Sequence, residues 1–103
     1  MENDGQKQAT TQDILKERGS RYGTFANHAK CSSALREAFF THQMKYGQAT
    51  LTATQTEAII LILHKLARIA NGDPNYDDNW VDLCGYSQLV VDDLNGTDSN
   101  NPN

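Results

Sequence analysis

Apolar residues recur at helical spacing along most of this chain, and no stretch alternates long enough to argue for a strand. Residues 1–10 (MENDGQKQAT) and 95–103 (NGTDSNNPN) hold almost no apolar side chains, so they are expected to be disordered tails around a helical domain of residues 11–94. Four helices are predicted within it. The first is short, Thr11 to Arg18, capped by Thr10 or Thr11 and stopped by Gly19, and the glycine-punctuated loop RGSRYGTF follows. The second starts near Thr24 and ends before Gly47, with His28, Cys31, Leu35, Ala38, Phe39 and His42 on one arc. The third opens at Thr52, which has a capping-box spacing to Gln55, and runs to Ala70 before Asn71-Gly72. The fourth runs from Asp78 to Leu94, with Asp77 or Asp78 as its cap and Trp80, Leu83, Cys84, Val90, Val91 and Leu94 on its apolar side. The predicted fold is all-α, a small bundle of three main helices plus a short N-terminal one.

The polar sides of the last two helices carry the candidate chemistry. On helix three Glu57, His64 and Arg68 form one ridge with Leu61 and Lys65 beside it, opposite Ala58, Ile59, Ile62, Leu63, Leu66 and Ile69. An aliphatic residue within a polar stripe indicates that the stripe is covered or lines a cleft. Helix four gathers Asp78, Asp82, Tyr86 and Asp93 on its polar side. The turn NGDPNYDD is short and favours antiparallel neighbours, with Gly72 accepting a positive φ, so the two ridges can meet. Their plainer reading is an interhelical salt-bridge network worth ~0–1 kcal/mol per exposed pair. The functional reading is a polar cleft in which Glu57, Asp78 and Asp82 hold Mg²⁺ while Arg21, Lys65 and Arg68 meet phosphate oxygens. Tyr22 or Tyr86 can stack on a base, whereas Trp80 falls on the apolar arc and is assigned to the core. Gly85, inside helix four at a cost of ~1 kcal/mol relative to Ala, suggests close approach of something to the backbone. His28 and Cys31 lie one turn apart, but no second ligand pair follows and zinc is not expected.

Composition narrows the partners. With 103 residues and polar ends there is room for one core. Residues 1–56 carry seven Lys/Arg against five Asp/Glu, and residues 57–103 carry two against eight, a split of +2 and −6 within the net −4. The cations are scattered, which argues against nucleic acid as a partner. AIILILHKLA is interrupted by His64 and Lys65, so a membrane span is not expected. No leader pattern is recognisable, and Cys31 and Cys84 are expected to be free thiols in a reducing cytoplasm. The apolar arcs of helices three and four are wider than one neighbour can cover, so a homo-oligomer is expected, a dimer burying part of AIILIL between subunits.

The stretches ILKERGSRYGTF, LTATQTEAIILILHKLARIANGDPNYDDNW and VDLCGYSQLV resemble a family of small bacteriophage and prophage proteins of unknown function, over about residues 14 to 91. The family carries no established chemistry. More loosely, the chain is similar to phage nucleotide-modification-associated domains and to all-α MazG-like nucleotide pyrophosphohydrolases, in which two antiparallel helices present acidic pairs to magnesium. This sequence departs from that pattern, because Ile60 and Leu61 stand where a second acid would follow Glu57. The resemblance implies a cytoplasmic protein of an infected bacterial host that binds a nucleotide or a nucleotide-derived signal between helices three and four, with at most weak Mg²⁺-dependent pyrophosphohydrolase activity. Its expected ligand-binding residues are Arg21, Tyr22, Glu57, His64, Lys65, Arg68, Asp78, Asp82 and Tyr86. The alternative is a non-enzymatic interaction module that docks on a host or phage protein, for example in host takeover or counter-defence.

Overall fold

The computed structural model describes residues 10–97, so the tails expected at the two ends lie, apart from Thr10 and residues 95–97, outside the described residues. The described residues form four α-helices: α1 (Thr11–Tyr22), α2 (Phe25–Tyr46), α3 (Ala53–Asn71) and α4 (Asp77–Leu94). No helix among them is long and apolar enough to cross a membrane.

Threonine hydroxyls start the first three helices. Thr10 accepts from the Asp13 backbone N–H while the Asp13 carboxylate accepts from Thr10, and Thr52 and Gln55 form the same reciprocal cap at the head of α3. Thr24 caps α2 through the Asn27 N–H. At α4 the expected aspartate cap is absent. The N-cap position is Tyr76, which makes no side-chain cap bond, and Asp77 and Asp78 stand inside the first turn, where their charges complement the positive end of the helix.

Two glycines correct the expected course of the chain. α1 does not stop at Gly19 but continues to Tyr22, because the residue that terminates it is Gly23, at φ 79 with its N–H bonded to the Gly19 carbonyl. Gly72 is needed for proximity, not for a left-handed conformation. Its φ is −125, but a Cβ there would collide with the Arg21 carbonyl and the Tyr22 Cα. The end of α3 is thus pressed against the end of α1, and the Asp73 N–H donates to the Arg21 carbonyl at 2.6 Å.

α3 is the middle of the structure. It packs against α2 on one flank and α4 on the other, α1 lies across its C-terminal end, and α2 and α4 do not pack on each other. At about 100° per residue, Ala58 and Lys65 point to one flank and Leu63, His64 and Ala67 to the roughly opposite one, so α2, α3 and α4 form a single layer. The buried apolar residues are those facing the flanks: Ala58, Leu63 and Ala67. The two alanines let the flanking helices approach closely. Trp80 departs from its expected place in the core. It is 48% exposed, with its indole N–H donating to the Pro74 carbonyl at 2.9 Å, because α4 turns only one side of its apolar arc to α3. Among the described residues nothing lies near the position of a Cβ at Gly85, so none of them makes the close approach expected there.

Candidate functional site

The C-terminal turn of α1 is fixed to α3 by backbone contacts that no helical periodicity announces. The Asn71 amide donates to the carbonyls of Tyr22 (2.8 Å) and Thr24 (3.1 Å), holding the α1–α2 link in place. This positions Tyr22 under Arg68, whose guanidinium carbon lies 4.2 Å from the ring centroid. Arg21 turns the other way. Its Nη1 donates to the Tyr76 hydroxyl at 2.8 Å, its guanidinium lies 4.6 Å from that ring, and Tyr76 in turn donates to the Asp78 carboxylate at 2.8 Å. That hydrogen bond to Asp78 raises the Tyr76 phenol above its ordinary pKa.

On the same side, α2 and α3 bring two imidazoles together. His28 Nε2 and His64 Nδ1 are 3.2 Å apart with the rings edge to face, and His28 is 5% exposed. Burial, with the Arg68 charge next in weight, lowers the pKa of both rings, and His64 falls to about 4. Both are therefore neutral at pH 7, so one nitrogen of the pair donates and the other accepts. His28 Nδ1 is buried without a partner. A bare lone pair there costs less than an orphaned N–H, which puts the shared proton on His28 Nε2 and leaves His64 with a free N–H on Nε2.

These elements enclose a pocket of about 400 Å³ at the junction of α1, α2 and α3, walled by Leu15, Arg18, Tyr22, Phe25, His64 and Arg68. A second cleft, of about 330 Å³, adjoins it across Tyr22 and Arg68, with Arg18 shared between the two and Arg21 on its far wall. Glu17 is the acid of that second cleft and is engaged with Arg21 at 3.3 Å. No carboxylate lines the first pocket, and Arg18 and Arg68 make no ion pair among the described residues. The result is two guanidinium groups without a carboxylate partner, an aromatic wall and a neutral imidazole pair around one concavity.

The histidine pair sets a pH dependence. In the unfolded chain His64 titrates near 6.5 and in the folded chain near 4, so between those values the unfolded state binds more protons. The stabilisation is complete above pH 6.5 and is expected to be lost as the pH falls towards 4, by on the order of 2 kcal/mol. His64→Asn should flatten that part of a melting-temperature profile, and an unchanged slope in the variant would refute the assignment.

A family model described as a domain of unknown function (DUF6378) matches residues 7–92. The chain belongs to this family. The match spans α1 to α3 and all but the end of α4, so the pocket and the three-helix layer both lie inside the DUF6378 domain. No curated protein and no solved structure matches the chain.

Within this DUF6378 domain the expected site divides. Arg21, Tyr22 and Arg68 line the second cleft and Tyr22, His64 and Arg68 the first, so the ridge expected to face α4 faces α1 and α2 instead. Towards α4 it is Lys65 that reaches across, and its ammonium meets the Asp82 carboxylate at 2.6 Å with the lysine side chain only 11% exposed. The α3–α4 contact is thus closed by an ion pair where a cleft was expected. Asp78 is taken by Tyr76, Glu57 is exposed, and neither Glu57 nor Tyr86 lines either concavity. Among the described residues no group of three or more His, Cys, Asp or Glu side chains could hold a metal ion. The structure thus does not bring Glu57, Asp78 and Asp82 together as one three-carboxylate group. Arg18 and Phe25 are site residues the sequence reading did not include. The signal for Arg18 was its i, i+4 spacing to Tyr22, hidden by ending α1 at Gly19.

Proposed function

We propose that this protein binds a nucleotide, or a nucleotide-derived anion, in the pocket formed by α1, α2 and α3. The observation that carries the reading is the pair of unneutralised guanidinium groups, Arg18 and Arg68, lining a concavity that contains no carboxylate. Charge-assisted hydrogen bonds from guanidinium forks suit phosphate oxygens. Phe25, 80% exposed beside them, offers a face on which a base can stack. The neutral His28–His64 pair supplies a donor to a ligand without adding charge.

The resemblance to phage nucleotide-modification-associated and MazG-like domains supports the same ligand class and a place in the cytoplasm of an infected bacterium. Turnover is not part of the proposal, because the carboxylates that would organise a metal-assisted hydrolysis are dispersed. The test is a melting-temperature screen against nucleoside mono-, di- and triphosphates, with and without Mg²⁺, on the intact chain and on Arg18→Ala. A ligand at a hundred times its dissociation constant stabilises by ~2.7 kcal/mol, a rise of roughly 10 °C or more for a domain of this size. Loss of that rise in Arg18→Ala supports the pocket. No rise with any nucleotide would refute the reading and favour the interaction module.

A further inference from the structure

The layer leaves α3 with two open faces, and they are chemically opposite. With Glu57 as zero on the helical wheel, one face centres near roughly 20°, carries Glu57, Leu61 and Arg68, and is crowned by α1. The other centres near roughly 200° and carries Ile59, Leu66 and Ala70 with Ile62 and Leu63 at its edges, and among the described residues no helix lies over it. Leu66 is 37% exposed there.

Two grooves run along this second face, one on each side of the Ile59–Leu66 ridge. The groove between α2 and α3 has a volume of about 720 Å³ and is walled by Leu35, Phe39, His42, Tyr46 and Leu63. The groove between α3 and α4, of about 330 Å³, is walled by Leu51, Ile59, Ile62 and Val90. Neither contains an acidic or basic residue other than the histidine. The ridge and its two grooves carry no formal charge, so they do not repel a second copy, and the charges nearest them on α2, Glu37 and Lys45 in an adjoining groove, are opposite in sign.

We infer that this face is where a second copy of the chain seats, two three-helix layers stacked about a twofold axis that lies between them. Size favours this occupant. α3 has 19 residues and is thus about 28 Å long, and three helices at about 9 Å spacing make a face of roughly 700 Å², close to the ~800 Å² that each partner contributes to a stable interface. Core content favours it too. The buried apolar residues of the described chain are two alanines and a leucine, too few for a domain of this length to stand alone. A partner that completes the core must be present whenever the chain is made, and its own copy always is. The ligand pocket opens on the opposite side of the layer, so dimer formation leaves it accessible, and the two proposals stand or fall separately.

The experiment is sedimentation of the intact chain over a hundredfold concentration range. The expected mass is twice 11.5 kDa, reverting to a single chain in Leu66→Asp and unchanged in Glu57→Lys on the other face. A monomer throughout, or a dimer indifferent to Leu66→Asp, would overturn the proposal. Should Leu66→Asp fail to fold, thiol reactivity decides, with Cys31 and Cys84 replaced by Ser. Leu66→Cys should react at least tenfold more slowly than Glu57→Cys, with the protection lost on dilution, whereas equal rates would overturn it.

Discussion

Gly72→Ala is expected to destabilise the protein by about 2–4 kcal/mol, more than removal of any single exposed side chain. The added methyl would meet the Arg21 carbonyl and the Tyr22 Cα, both backbone atoms, so no rotamer change can relieve it. The Asp73 N–H would lose its 2.6 Å bond to Arg21 as the two chain ends separate. Because α1 is held to α3 chiefly by this junction and by Asn71, the variant should also lose ordered packing of Tyr22 under Arg68. Urea unfolding measures the first effect and near-ultraviolet circular dichroism of the tyrosines the second. An unaltered midpoint would mean that the contact at Gly72 is not tight.

Arg68→Gln is expected to act on two readouts at once. It removes one of the two cations of the pocket, which should weaken nucleotide binding by about 10- to 100-fold, the worth of charge-assisted hydrogen bonds in such a site. It also removes the charge that, after burial, does most to hold the His64 pKa down, so that pKa should climb from about 4 towards its ordinary value. A merely structural arginine would not couple these effects. Weakened binding with an unmoved imidazole titration would show that Arg68 does not lie against the histidine pair.

How much of this was legible in the sequence depended on whether the signal was local. The start of α2 near Thr24, the capping box at Thr52, the stops at Gly47 and Asn71-Gly72, and the all-helical class follow from neighbours in the chain and agree with the structure. The ridge of His64 and Arg68 was also readable from the wheel. Its direction was not, because the wheel tells which residues share a face but not which helix that face meets. A bundle places α2 and α4 on adjacent sides of α3, whereas the observed layer places them on opposite flanks. The ridge accordingly met α1 and α2, and Lys65 met Asp82. The extension of α1 through Gly19 is a local miss. A glycine inside a helix costs only ~1 kcal/mol, and the stronger terminator, at positive φ, stood four residues on at Gly23. The junction of Gly72 with Arg21 and Tyr22 joins residues about fifty positions apart and leaves no periodic trace.

The most direct test of the pocket is a nuclear magnetic resonance titration of histidine-labelled protein with the nucleotide that stabilises it most. The chain has three histidines: His28 and His64 belong to the pocket, and His42 lies in the α2–α3 groove on the opposite face and serves as an internal control. Saturable shifts of the His28 and His64 imidazole signals, with His42 unmoved, are expected. Saturable binding that leaves both His28 and His64 unmoved would contradict the pocket proposed between α1, α2 and α3.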